Sequence, residues 1–169
     1  MTDINIQNKE RLKELLRLSG GLIAAIDGIW FLVVEEVFGN NRAVELDKKV
    51  WEKYIHVLVK RMKNILGIST EGMRGIKEII ENDPLFLIND YEFTESSEKK
   101  MVLKINRCPV LEAMERQGRK TYVCESTRGL YFKNLAREID PKVVVHPLKL
   151  PPRESPEDIC CKWLFQRQD

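Results

Sequence analysis

The sequence has few of the residues that usually announce a reaction. It carries two histidines and four cysteines in 169 residues, and no cysteine precedes Cys108. No CxxC pair is present, which excludes a zinc knuckle. Formal charge is nearly balanced at +2, so the whole-molecule field gives no strong pull toward nucleic acid or anionic lipid. Long hydrophobic runs are missing too. The most apolar one, Leu22 to Val34, is 13 residues long with Asp27 inside it, too short and too interrupted to span a bilayer. There is no internal repeat and no low-complexity segment. The first 20 residues are polar and charged, so no secretory leader is expected and the cytoplasm is the expected location. Thiols stay mostly reduced there, and the cysteines are therefore read as free, metal-bound or reactive rather than as two structural disulfides.

What is present suits an ordinary soluble protein: 43% hydrophobic and 32% charged residues, with length enough for one domain and its core. Asn8 suits a helix cap, followed by Leu12, Leu15 and Leu16 at helical spacing and a stop at Ser19-Gly20-Gly21. A second helix is expected from Leu22 to Phe38, ended by Gly39. Being apolar nearly all round, it is expected to be central. A third, long helix begins near Arg42 and ends at Gly67, with Ala43, Leu46, Val50, Tyr54, Val57 or Leu58, Arg61 and Ile65 recurring every three or four residues. Thr70 caps a fourth helix that stops at Asn82-Asp83-Pro84.

The period then changes from 3.6 to 2. Leu85 to Thr94 and Met101 to Ile105 read as a hairpin across Glu95-Ser96-Ser97-Glu98. Pro109 suits the first turn of a short helix closed by Gly118. Another helix is expected from Tyr122 to Ile139. Lys142 to Leu150 reads as an edge or bulged strand because of Pro147, and Ile159 to Gln166 as the last strand. The expected class is α+β, one domain: a helical half over 1–83 packed on an antiparallel sheet with two helices over 84–169.

Chemistry concentrates in the last third. Cys108 precedes Pro109 and so takes the N-cap of the short helix, where unpaired N–H groups favour a thiolate. Cys124 falls in the first turn of the next helix on the same reading. On the last strand Cys161 shares the apolar face with Trp163 and Phe165, whereas Cys160 falls on the face of Lys162. Cys108, Cys124, His146 and Cys161 together make a Cys₃His set suited to zinc or an iron–sulfur cluster. The same four positions also suit small buried hydrophobes. A second site centres on Asp27. Unpaired in an apolar helix it is costly, so it is expected to pair with Arg61 or His56, or to serve as a polar handle in a ligand pocket lined by Trp30, Phe31 and Trp51. Glu35 and Glu36 read as surface charges, and Arg116, Arg119 and Lys120 as a basic joint.

Ala25-Ile26-Asp27-Gly28-Ile29-Trp30-Phe31, Val34-Glu35-Glu36-Val37-Phe38-Gly39, Glu45-Leu46-Asp47 and Val50-Trp51 resemble the opening of a family of uncharacterised prokaryotic cytosolic proteins. That domain of unknown function lies close to L-2-amino-thiazoline-4-carboxylate hydrolase-like proteins. Asn106-Arg107-Cys108, Gly118, Cys124, Ile139-Asp140-Pro141, Pro151-Pro152 and Cys161-Lys162-Trp163-Leu164-Phe165 carry the likeness through the second half. A more distant resemblance is to the vinyl-reductase-type small-molecule-binding domain. The resemblance implies a shared architecture and an intracellular prokaryotic origin, and little chemistry. Three functions stand at this point. The first is binding of a small ligand or metal ion through the Cys/His cluster. The second is a cysteine-dependent hydrolase of a small thiazoline- or amide-like ring, with Cys108 as nucleophile and His146 as base. The third is a non-enzymatic homodimeric scaffold. Partners are a small molecule or a second copy, with no nucleic acid and no membrane.

Overall fold

A computed structural model describes residues 9–68, 71–119 and 123–169. Two long helices come first, α1 (Lys9–Phe38) and α2 (Asn40–Leu66), then a shorter α3 (Gly72–Asn82). The strands β1 (Asp90–Ser96) and β2 (Lys100–Arg107) follow, then α4 (Pro109–Arg116), α5 (Arg128–Ile139), β3 (Val143–Lys149) and β4 (Cys161–Arg167). The four strands form one antiparallel sheet in the order β1-β2-β4-β3. The class is α+β, with a helical first half and every strand in the second, as expected.

The core lies on one face of the sheet. Leu103 and Ile105 of β2, Trp163 and Phe165 of β4, and Val145 of β3 meet Phe132 and Leu135 of α5 and the isoleucines of α3. Phe132 is the hub: its ring centroid lies 5.2 Å from that of Trp163, 5.4 Å from Phe165 and 5.7 Å from Phe86. Such offset and edge-on pairs add to the area they bury. Pro147 sits on the edge strand, where its missing N–H breaks no ladder, and a bulge follows it.

Several expectations need correction. α1 does not stop at Ser19-Gly20-Gly21. Ser19 Oγ bonds back to the Leu15 carbonyl at 2.8 Å, which keeps it inside the helix. At Gly20 the helix touches the 83–88 turn so closely that a Cβ would sit 2.0 Å from the Pro84 carbonyl oxygen. That contact offsets the intrinsic helical cost of glycine, about 1 kcal/mol. α1 is not central either, since only Gly20 and Phe31 among its 30 residues are buried. The inward stripe of α2 is Ala43, Asp47, Ile55, Leu58, Val59 and Met62, which leaves Val50, Val57, Arg61 and Ile65 exposed. Residues 84–88 are a turn rather than a strand. Asp83 organises it, accepting from the Leu85 N–H with its side chain and from the Phe86 N–H with its carbonyl. Residues 124–127 are likewise a turn, and α5 begins later than expected. Asn8, Thr70, Lys120 and Tyr122 lie outside the described residues. Gly39 and Gly118 end α1 and α4 as read, at φ 82° and 65°.

Candidate functional site

Between α1, α2, α4 and the start of α5 lies a cavity of about 530 Å³. Its wall is mostly apolar, with Ala24, Phe31 and Leu32 of α1 facing Leu111 and Met114 of α4. All four cysteines line it, together with Asp27, Asp47, Trp51 and Arg128. The size and the few polar groups set in apolar walls are those of small-molecule sites.

The thiols are free. Cys108 holds the N-cap of α4, with Pro109 at the first helical position, as the sequence indicated. Cys124 precedes α5 instead of starting it: its carbonyl accepts from the Gly129 N–H, and burial pushes its thiol up to about 11. Cys161 faces inward on β4 and accepts from the Trp163 indole N–H at 3.2 Å, while burial pushes it up to about 12. Cys160 was expected to point away. It sits one residue before the strand, outside the alternation, and is buried with its S–H donating to the Asn106 carbonyl. Its thiol is also raised, chiefly by burial. A low-pKa cluster is therefore not what the fold builds at these three.

His146 does not join the cysteines. Its neighbours Val143 and Val145 turn inward, so strand alternation puts His146 outward and exposed, opposite Leu164 on the far face from Cys161. That alternation was readable in Val143-Val144-Val145-His146. Among the described residues no group of three or more His, Cys, Asp or Glu side chains is arranged to hold a metal ion. The Cys₃His set is not assembled, nor is the Cys108–His146 pair.

The Asp27 site is corrected in its partners. Arg61 is exposed on α2, and His56 Nδ1 lies 3.0 Å from Glu138 instead. Trp30 packs in the small cluster of Phe31, Ala43 and Val123 beside the cavity. Asp27 meets Asp47, which the sequence reading missed. Its signal was its place in the buried register of α2, four residues before Trp51. Burial pushes the Asp47 carboxyl up to about 7, the Asp27 carboxylate adds to the shift, and a bond from Trp51 opposes it. Burial also raises Asp27, against the pull of the Arg128 guanidinium and a bond from Asp47. The two carboxyls titrate as a coupled pair, and burial with their mutual repulsion favours holding one proton between them as pH falls through about 7. Asp47 Oδ1 is buried with no hydrogen-bond partner.

Arg128, the first residue of α5, carries the second such atom. Its guanidinium lies over the Phe86 and Tyr131 rings at 5.2 and 5.5 Å, and its Nη1 is buried without a hydrogen-bond partner. Behind it Tyr131 donates to the buried Asp83 Oδ2 at 2.5 Å. The floor is thus closed by satisfied groups, and Arg128 is left facing the cavity with donors to spare. At the rim Glu35 is no free surface charge. It takes two bonds from Arg119, both at 2.7 Å, and one from Asn40 at 2.6 Å, which hold its carboxyl down at about 2. This ties α1 to the segment after α4 and occupies Arg119, one of the three cations of the expected basic joint.

A cavity-bearing α+β protein with a buried acid pair and a spare guanidinium is what the geometry defines. The model of a family of unknown function, DUF6125, matches residues 6–167, and the chain belongs to that family. No curated protein and no solved structure matches it. None of the helices among the described residues is long and apolar enough to cross a membrane.

Proposed function

We propose that the protein binds a small, largely apolar carboxylate in this cavity, with Arg128 receiving the anionic group. One observation carries the reading: a buried arginine N–H with no partner, on the wall of a cavity of small-molecule size. A buried donor left unpaired costs about 1–3 kcal/mol, which a ligand oxygen would recover. Arginine suits a planar carboxylate because its forked donors match both oxygens. The apolar walls supply affinity, and Asp47, neutral below its shifted value, leaves room for a second negative group. The sequence resemblance to a small-molecule-binding domain points the same way.

The test uses octanoate and phenylacetate against their neutral amides, read by thermal shift and calorimetry. The carboxylates are expected to bind and the amides to bind at least tenfold more weakly. Arg128→Gln is expected to remove the difference. Equal binding of acid and amide would refute the reading.

Cys108 favours a second reading, the hydrolase. It lines the cavity at the N-cap of α4 and makes no side-chain capping bond there. With His146 elsewhere, the base in that mechanism would be the Asp27–Asp47 pair. Fast, stoichiometric labelling of Cys108 by iodoacetamide at pH 7 is expected on this reading alone. Elemental analysis of untagged protein purified anaerobically tests separately for zinc or iron on the thiols.

A further inference from the structure

We infer that the outward face of α1 is the seam of a homodimer, paired antiparallel with α1 of a second copy. The inward face of α1, through Gly20, Asp27 and Phe31, contacts the turn, α2 and the cavity. The opposite face is equally apolar and bare. Leu18, Leu22, Ile26, Ile29, Val33 and Val37 follow one another at steps of three or four residues, and each is between 54% and 64% exposed, with Ile29 at the edge of the row where it also borders the cavity. Steps of three and four place them in one continuous stripe, the pattern of a coiled-coil seam rather than of isolated surface side chains. Single exposed apolar residues are ordinary on a protein surface, whereas a continuous patch of this length marks an interaction site.

Three features favour a second copy as the occupant. The first is register. In an antiparallel pair centred on Ile26, Leu22 faces Ile29, Leu18 faces Val33 and Leu15 faces Val37, so every apolar side chain meets another. The second is charge. Before residue 18 the helix carries Lys9, Arg11, Lys13 and Arg17 against Glu10 and Glu14, while from residue 29 to its end it carries no cation, and Glu36 is its net charge because Arg119 neutralises Glu35. Antiparallel pairing sets a net-positive end beside a negative one and opposes the helix dipoles favourably, whereas parallel pairing juxtaposes like ends. The third is area. The six side chains of the row and Leu15 beside them, at about 100 Å² each, present roughly 700 Å² per copy, somewhat below the ~800 Å² per partner of a standard stable interface.

Sedimentation equilibrium of the full chain at tens of micromolar tests the inference. The expected mass is that of two 19.8 kDa chains. Ile26→Glu sets two carboxylates against each other at the centre of the seam. It is expected to weaken association more than tenfold, with the circular dichroism spectrum and melting temperature of an isolated folded chain. Ile65→Glu, at an exposed apolar position of α2 outside the stripe, is the control and is expected to leave the dimer intact. For orientation, mixed Leu15→Cys and Val37→Cys chains are expected to cross-link on oxidation, and Val37→Cys alone is not. A monomeric wild-type chain would overturn the proposal. So would a dimer that survives Ile26→Glu, a Val37→Cys chain that links to itself, or a monomer that binds anionic vesicles through this face.

Discussion

The two halves of the molecule use apolar residues in opposite ways. In the sheet half, Trp163, Phe132, Phe165 and Leu103 are fully buried and touch one another. In α1, an equally apolar stretch buries two residues and leaves a row of leucines, isoleucines and valines in solvent. One half spends its hydrophobicity on holding itself together. The other directs it at a cavity on one side and at the surface on the other. Hydrophobic content alone therefore says little about where a core lies, and what decides is whether a second element is available to cover it.

The sharpest way to break the contrast is to truncate the largest ring packed on Phe132. Trp163→Ala is expected to cost about 3–5 kcal/mol in urea unfolding, as large-to-small changes at fully packed aromatics do. Ile26→Ala on the bare face of α1 is expected to stay within about 0.5 kcal/mol of wild type in the monomer. Tyr131→Phe removes the donor to Asp83 Oδ2 and strands a buried carboxyl oxygen, for an expected loss of about 1–3 kcal/mol in the same assay.

The acid pair sharpens the comparison through pH. The Asp47 carboxyl ordinarily titrates near 3.8 and is raised to about 7 in the folded chain. The folded state therefore holds this proton after the unfolded state has lost it. Its contribution to stability is complete below about pH 4, is lost progressively as pH rises toward 7, and is flat above that. Asp47→Asn is expected to remove this slope, measured as the urea midpoint against pH. The same proton governs the proposed ligand: carboxylate affinity is expected to rise as pH falls from 8 to 6, because protonation of Asp47 removes a like charge, and Asp47→Asn is expected to flatten that curve as well. The smallest effect separates two adjacent glycines. Gly21→Ala, whose methyl meets nothing within 4 Å, is expected to raise stability by up to about 1 kcal/mol. Gly20→Ala is expected to lower it, since its methyl would strike the Pro84 carbonyl.

Local rules carried much of this fold. Pro109 and Gly118 bracketed α4, with Cys108 at its N-cap. Pro147 marked an edge strand, and Cys161 fell on the face of Trp163 and Phe165. What local rules could not carry is pairing across distance. Ser19-Gly20-Gly21 reads as a stop until the Pro84 carbonyl lies against Gly20. Asp27 reads as awaiting a cation until α2 presents Asp47. Arg128 gave no sign at all, since a basic residue at a helix start looks like a solvated one until Phe86 and Tyr131 close over it. Charged residues are assigned to the surface by default, and a binding site is where that default fails.

The close approach at Gly20 has a mechanical consequence. Residues 9–19 are exposed, so about 16 Å of helix precedes Gly20, the first buried position among the described residues. Gly20 resting on the Pro84 carbonyl is a fulcrum, and residues 24–32 on its far side wall the cavity. A helix pinned at one point this close has little room to slide there, so any change in the width of the cavity has to come from tilting about that point.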